Sequence, residues 1–307
     1  MSALPHWIEV RVLAPLGWHE LVAEALATGP CTSVAFGRPS LASDAPPDGF
    51  DYVRTFFAEN FDSPGLRDAI ASSIATLADR AGAPELAGMR AEFHVLPAED
   101  YANSWRKVWK PFRVGRLCVL PPGDARALRA TDRPLWLELG GAFGTGRHAT
   151  TRACLRVIQE RVRPGQRILD AGSGSGILAV AALLSGARSA LAFDVDPNAE
   201  PYARALADMN DVAHACEIHT AGFERLSGRS AEFDGCLANI YSDVVQEQCT
   251  LLRSVLKPGG WFAFSGCPVH HAHETETAIR AARFDLQQVR VRGRWHTFVG
   301  VRPSEDR

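Results

Sequence analysis

The sequence predicts a two-domain protein. A doubly wound, mostly parallel α/β sheet of seven strands is expected over residues 126–307, preceded by a smaller α+β domain over residues 1–96. Three observations predict this. The chain has 307 residues, more than one average domain. Its first third runs through strand and helix signals in the order β-α-β-β-α-β. Further on, the glycine-rich turn Gly172-Ser-Gly174-Ser-Gly176 joins a short apolar strand pattern to an apolar helix pattern, and the strand–helix alternation continues beyond it.

In the first domain, Trp7 to Leu13 alternates apolar and polar residues as a strand does. Trp18 to Thr28 has helical spacing and stops at Gly29-Pro30. Cys31 to Phe36 and Tyr52 to Phe57 read as strands, and the Pro39, Pro46, Pro47 and Gly49 between them mark a loop. Pro64 lies just inside the start of a helix expected to run toward Ala81, and Arg90 to Leu96 is a last strand. This is the order of a split β-α-β, or ferredoxin-like, unit. It has no glycine cradle and no catalytic cluster, so recognition rather than chemistry is expected of it. Residues 1–96 hold six Arg, no Lys and twelve Asp or Glu, a net of −6; the whole chain is at −2, so the remainder is at +4. An acidic domain binds phosphate poorly and suits a basic protein partner, although a solvated acidic face with no partner reads equally well.

Residues 97–125 form the expected inter-domain connector. Glu99 to Lys110 looks like a short helix with Trp105 and Trp109, ended by Pro111. Its basic and aromatic mix is compatible with nucleic acid, but packing between domains is the favoured use. From there the expected strands are Gln166–Leu169, Ser189–Phe193, Glu217–Thr220, Phe233–Ala238 and Trp261–Phe264, with helices near 177–185, 198–208 and 243–255. Leu286–Val291 and Thr297–Val301 flank Arg292-Gly293-Arg294 and read as a closing hairpin.

Composition narrows the class. The hydrophobic fraction of 46% is that of an ordinary globular chain. Seven cysteines, with no C-x-x-C and no zinc spacing, read as reduced, mostly buried thiols of a cytoplasmic protein. The N-terminal residues lack the basic-then-apolar design of a secretion signal, and no apolar run is long enough to span a bilayer. His270, His271 and His273 fall on a loop-like stretch without acid or Cys partners, so they read as surface residues and no metal is expected. Nothing demands more than a monomer.

The glycine turn carries the chemistry. A dinucleotide fingerprint needs G-x-G-x-x-G, and position 177 is Ile; the pattern is D-x-G-x-G-x-G, with Asp170 at the strand end. A carboxylate there would repel a pyrophosphate and suits a cationic ligand such as the amino group of S-adenosylmethionine. A turn that merely joins strand to helix is the plain alternative. Asp194, about 20 residues further on, stands where an acid binds ribose hydroxyls. Either it or Asp196 alternatively caps the helix after Pro197, with Asp196 fitting the cap better and Asp194 the ribose. In Glu138 to Thr151, a glycine-flanked Phe143, His148 and a Thr pair point to a cap over a ligand. Thr151 either caps the next helix or bonds the ligand's carboxylate. Asn239 follows the fourth strand of the sheet, at the end where ligands gather, and either accepts an amine N–H or simply builds a turn.

These stretches, D-A-G-S-G-S-G-I-L-A, F-D-V-D-P, A-N-I-Y, G-A-F-G-T-G-R-H-A-T-T and W-R-K-V-W-K-P-F-R-V-G, resemble the bacterial ribosomal protein L11 methyltransferases (PrmA type), class I S-adenosylmethionine-dependent enzymes. The likeness covers roughly residues 98–300. The resemblance implies cofactor contacts at Thr151, Gly172, Asp194 and Asn239, joined by Asp170 and Gly174 of the turn. It also implies a loop over the methyl donor at Phe143 and Gly144. It makes Asn239 and Phe143 the catalytic candidates, S-adenosyl-L-methionine the cofactor, and a basic ribosomal protein, free or on the ribosome, the partner. Methylated lysines and a methylated N-terminal amine would be the products. The chain departs from the family at Glu138-Leu139-Gly140, at Ala149 and at Ser265-Gly266-Cys267-Pro268. The competing readings are methyl transfer to another protein, RNA or a small molecule, a nicotinamide oxidoreductase, and a non-catalytic binding module.

Overall fold

In the computed structural model of the chain, residues 6–26, 31, 33–37, 45–97, 111–137, 146 and 148–304 are described. Phe143, Gly144 and the expected helix around Trp105 and Trp109 lie outside these residues. The chain divides into two compact units, the second of which begins at Pro111.

The first unit contains β1 (Trp7–Pro15), α1 (His19–Leu26), β2 (Ser33–Phe36), β3 (Phe50–Ala58), α2 (Pro64–Ala75), α3 (Leu77–Ala81) and β4 (Ala91–Leu96). Its strands pair antiparallel in the order β2-β3-β1-β4, the ferredoxin-like arrangement expected from the element order. Alternation along β1 sends Ile8, Val10, Val12 and Ala14 into a core with Val22, Leu26, Ile70 and Ile74. The opposite face of β1 carries Glu9 and Arg11, both buried. The Glu9 carboxylate divides between Arg11 and Arg54, which face each other across β1 and β3. The helix expected from Pro64 to Ala81 is two pieces. It is capped by Ser63, whose hydroxyl accepts from Leu66 N at 3.2 Å, and it breaks at Thr76, whose hydroxyl donates to Ser72 O at 2.8 Å.

The second unit opens with a small sheet of β5 (Phe112–Val114), β6 (Leu117–Leu120) and β7 (Arg133–Trp136). Residues 111–125, expected in the connector, belong to this unit. Leu117, Cys118, Val119 and Leu120 are wholly buried, and Arg116 N donates to Gln159 Oε1 at 3.1 Å. There follow α4 (Ala149–Arg161), β8 (Arg167–Ala171), α5 (Ile177–Leu184), β9 (Ser189–Asp194), α6 (Ala199–Met209), β10 (Cys216–Thr220), β11 (Phe233–Asn239), α7 (Ser242–Val255), β12 (Leu256–Pro268), α8 (Ala272–Ala281), β13 (Asp285–Arg292) and β14 (Trp295–Val301).

Seven of these strands form one sheet in the order β10-β9-β8-β11-β12-β14-β13. The first five are parallel, and β14 inserts antiparallel between β12 and β13. The strand order reverses at β8, whose neighbours β9 and β11 lead away in opposite directions. The carboxyl ends of these three strands therefore border a crevice suited to a ligand. The core is apolar and partly aromatic, with Phe262, Phe264 and Phe284 in mutual contact at 4.5–5.6 Å between ring centroids.

The stretch read as a loop at His270–His273 is a single 3-10 turn, Val269–His271, that leads into α8, so His273 is helical. His271 Nδ1 lies 2.8 Å from Ser242 Oγ. Among the described residues no group of three or more His, Cys, Asp or Glu is arranged to hold a metal ion, and no helix is long and apolar enough to cross a membrane. All seven cysteines are free and buried, and burial pushes the thiols of Cys154 and Cys216 up to about 12.

Candidate active site

The site is built on the turn between β8 and α5. Ile168 and Leu169 are fully buried, which fixes β8 in the sheet, and α5 is apolar on nearly every side and buried from Ile177 to Leu183. Between them the backbone is left-handed at Gly172 (φ +71°), Gly174 (+50°) and Gly176 (+76°), a conformation that L side chains rarely adopt. A Cβ at Gly172 would lie 2.1 Å from Ile240 Cγ2, and one at Gly176 would lie 2.9 Å from Ala203 Cβ. Glycine is therefore required twice over, by conformation and by close packing. The turn folds over the end of β9: Gly172 N and Ser173 N both donate to Phe193 O, at 2.9 and 3.0 Å.

Register brings the sequence-derived residues together. Ala171 pairs with Phe193 on one side and with Ala238 on the other. One residue further along each strand stand Gly172, Asp194 and Asn239, at one level of the sheet. Asp194 Oδ2 accepts from Gly174 N at 2.8 Å and its Oδ1 accepts from Asp196 N at 3.0 Å. Each carboxylate oxygen keeps a second lone pair for another donor. Asp196 accepts from Asn198 N at 2.9 Å and organises the turn before α6; the N-cap position itself is Asn198.

Asp170 lies beneath the turn. It is wholly buried, its Oδ2 accepts from Ala179 N in the first turn of α5 at 2.9 Å, and its Oδ1 has no hydrogen-bond partner. Burial pushes its pKa up to about 7; the bond from Ala179 opposes that rise and the charge of Asp194 adds to it.

Thr151 does not cap its helix. The N-cap of α4 is His148, whose Nδ1 accepts from Thr150 N at 3.4 Å and lies 2.6 Å from Thr150 Oγ1. Thr151, buried in the first turn, accepts instead from Asn239 Nδ2 at 3.3 Å. The structure thus brings Asp170, Gly172, Gly174, Asp194, Asn239 and Thr151 into one neighbourhood.

Sequence reasoning did not single out three residues around the turn, Val195, Ile240 and Gly146, nor Asn210, which ties the end of α6 to β7. Val195, next to Asp194, is 74% exposed, an open apolar surface beside the crevice. Ile240 fills the space against Gly172. Gly146 is held between Ile177 and Phe112, where a Cβ would lie 2.8 and 2.9 Å from their side chains. The amide of Asn210 both accepts from Trp136 N and donates to Trp136 O, at 2.8 Å each. Only Val195, an apolar residue between two acids, left a local signal in the sequence.

Comparison with known proteins shows the family of the chain. The family model described as "Ribosomal protein L11 methyltransferase (PrmA)" matches residues 6–303. A protein of that name from Pelotomaculum thermopropionicum is 32% identical over 308 residues, covering 94% of this chain and 96% of its own. Another from Symbiobacterium thermophilum is 36% identical over 214 residues, 69% of each chain. The crystal structure of a ribosomal protein L11 methylase from Lactobacillus delbrueckii subsp. bulgaricus, 25% identical, superposes with a TM-score of 0.59 over 64% of this chain and all of its own. With a family match across nearly the whole chain and the sheet order of a class I methyltransferase, this protein is a methyltransferase that belongs to the ribosomal protein L11 methyltransferase (PrmA) family.

Proposed function

We propose that this methyltransferase binds S-adenosyl-L-methionine at the β8–α5 turn and transfers its methyl group to amino groups of ribosomal protein L11, on lysine side chains and at the N-terminus. The observation that carries this reading is the convergence of Asp194, Gly172 and Asn239 at one level of three adjacent strands. A buried carboxylate oxygen of Asp170 without a partner favours a positively charged ligand close to the turn. Asp194 has lone pairs for two ribose hydroxyls, and Val195 offers apolar surface to a flat base. The donor set therefore fits the cofactor. Thr151 is assigned to its methionine end, and Phe143 and Gly144 to the loop over its methyl group.

Bound S-adenosylmethionine supplies a methyl group already activated on a sulfonium. The chain's own share is alignment and desolvation. An amine must arrive neutral, because an ammonium has no lone pair, and a lysine in water is mostly protonated at neutral pH. A crevice that strips water from the amine lowers its pKa. Asn239 then orients the amine: its Nδ2 is committed to Thr151, which leaves Oδ1 to accept an N–H from the incoming nitrogen. The departing proton passes to solvent. The acidic first unit, at −6 over residues 1–96, is assigned to docking the basic substrate protein.

Incubation with radiolabelled S-adenosylmethionine and whole unmethylated ribosomes, or free L11, tests this reading. Label on L11 supports it. Label on RNA assigns the enzyme to nucleic acid, and cofactor binding without transfer to any component assigns it to binding alone.

A further inference from the structure

The contact between Thr151 and Asn239 depends on where the first turn of α4 sits, and that turn begins with an unusual cap. Helix N-caps are usually Ser, Thr, Asp or Asn, whose short side chains satisfy the free backbone N–H groups. Here the cap is His148. Its Nδ1 accepts from Thr150 N and meets the Thr150 hydroxyl, so the lone pair is on Nδ1. A smaller cap residue would do that much. The imidazole does one thing more: its ring packs edge-on against Trp295, 5.1 Å between centroids. Trp295 is buried on β14 and pairs with Pro268 at the end of β12. β12 in turn pairs with β11, with Ser265 opposite Asn239. His148 therefore ties the start of α4 to the same part of the sheet that carries Asn239.

We propose that His148 is a positioning residue for methyl transfer: it fixes the first turn of α4 against β14 so that Thr151 holds the Asn239 amide in one orientation. Thr150 and Thr151 are buried at 3% and 2% exposure, so a shift of this turn has no solvent gap to move into and is passed to the amide. Fixing Nδ2 also fixes Oδ1 of the same planar amide, the atom assigned to the incoming amine. The role rests on the methyl-transfer reading only for its catalytic consequence; the geometric part stands without it.

The test uses the full chain. In cofactor-free protein selectively labelled with ¹⁵N-asparagine, the Asn239 side-chain NH₂ signals (assigned by their loss in Asn239→Ala) report the amide's environment. His148→Ala is expected to shift or broaden them. His148→Asn, which keeps a cap acceptor but lacks the ring contact with Trp295, is expected to leave them displaced, and their full return to the wild-type positions would overturn the role given to the ring. In turnover assays His148→Ala is expected to cost about tenfold in the wild-type background and less than about twofold in Asn239→Ala, as for residues of one network. Unchanged Asn239 signals in His148→Ala, or an equal loss of turnover in both backgrounds, would overturn the proposal. Should His148→Ala fail to fold, His148→Asn, which removes the ring contact and keeps a cap acceptor, carries the same two readouts, with the same outcomes deciding. A wild-type enzyme without methyl transfer would end the functional reading and leave the spectroscopic arm to decide the geometry.

Discussion

Asn239 donates its side-chain amide to Thr151 Oγ1 across 3.3 Å, joining residues 88 positions apart in the chain. This bond links the end of β11 to the first turn of α4 and, on the function proposed above, leaves Oδ1 for the incoming amine. Asn239→Ala removes the acceptor while leaving β11 in the sheet core. Turnover is expected to fall by about 10–100-fold, the scale of a lost positioning or transition-state hydrogen bond. Steady-state kinetics with L11 check it, and unaltered turnover would remove the role assigned to Asn239.

Gly172→Ala places a Cβ 2.1 Å from Ile240 Cγ2 at a φ of +71°. The overlap and the left-handed backbone together are expected to destabilise the fold by about 2–4 kcal/mol. The double variant Gly172→Ala/Ile240→Ala relieves the overlap but not the backbone strain, so urea unfolding is expected to show partial recovery. A neutral Gly172→Ala would mean that the turn is less tightly packed than described.

Asp170 gives the protein a pH signature. Its native pKa of about 7 lies above the ordinary 3.8 of an aspartate. Between these values the folded state keeps a proton that the unfolded chain has lost. Its contribution is thus complete below about pH 4 and is lost as pH rises toward and through 7, at up to about 1.4 kcal/mol per pH unit. Asp170→Asn keeps an acceptor for Ala179 N and carries no charge. Its melting temperature relative to wild type is therefore expected to improve from pH 5 to pH 8. A cationic ligand favours the ionised form, so cofactor affinity of the wild type is expected to rise from pH 6 to pH 8, and this rise is expected to vanish in Asp170→Asn. A pH-independent difference in melting temperature would contradict the assignment.

Asp194→Asn separates cofactor binding from folding. The amide oxygen still accepts one backbone N–H, from Gly174 or Asp196, while the other N–H loses its acceptor. The charged acceptor for the ribose is lost, at about 1.5–3 kcal/mol for a hydrogen bond to a charged group. Cofactor Kd is expected to rise by about 10–100-fold in equilibrium dialysis, with the stability of the free protein lowered by no more than about 1–3 kcal/mol, the cost of one unsatisfied backbone N–H.

The residues that are legible from sequence share one property: each stands at or next to its own strand end. Asp170, Gly172, Asp194 and Asn239 follow short apolar strands, and the α/β rule that ligands gather at carboxyl ends is enough to assemble them. The glycine spacing then argues against a dinucleotide. What was not legible is contact between distant segments. No local pattern announces that Thr151 takes a bond from Asn239 and leaves the capping of α4 to His148, or that Asn210 holds Trp136. The sheet of β5–β7 was also missed. Its strands are three or four residues long, too short for a period to emerge, and Pro134 argues locally against a strand. The histidines at 270–273 looked like a loop because the helical face of α8 is thin: its only buried residues are Thr275 and Ile279.

The central claim is that Asp194, the glycine turn and their neighbours form a pocket for S-adenosylmethionine rather than for a nicotinamide nucleotide. Isothermal titration of the purified protein with each compound tests it most directly. Saturable heat is expected with S-adenosylmethionine, strongly weakened in Asp194→Asn, and none with the nicotinamide dinucleotide. Heat with the dinucleotide and none with S-adenosylmethionine would contradict it.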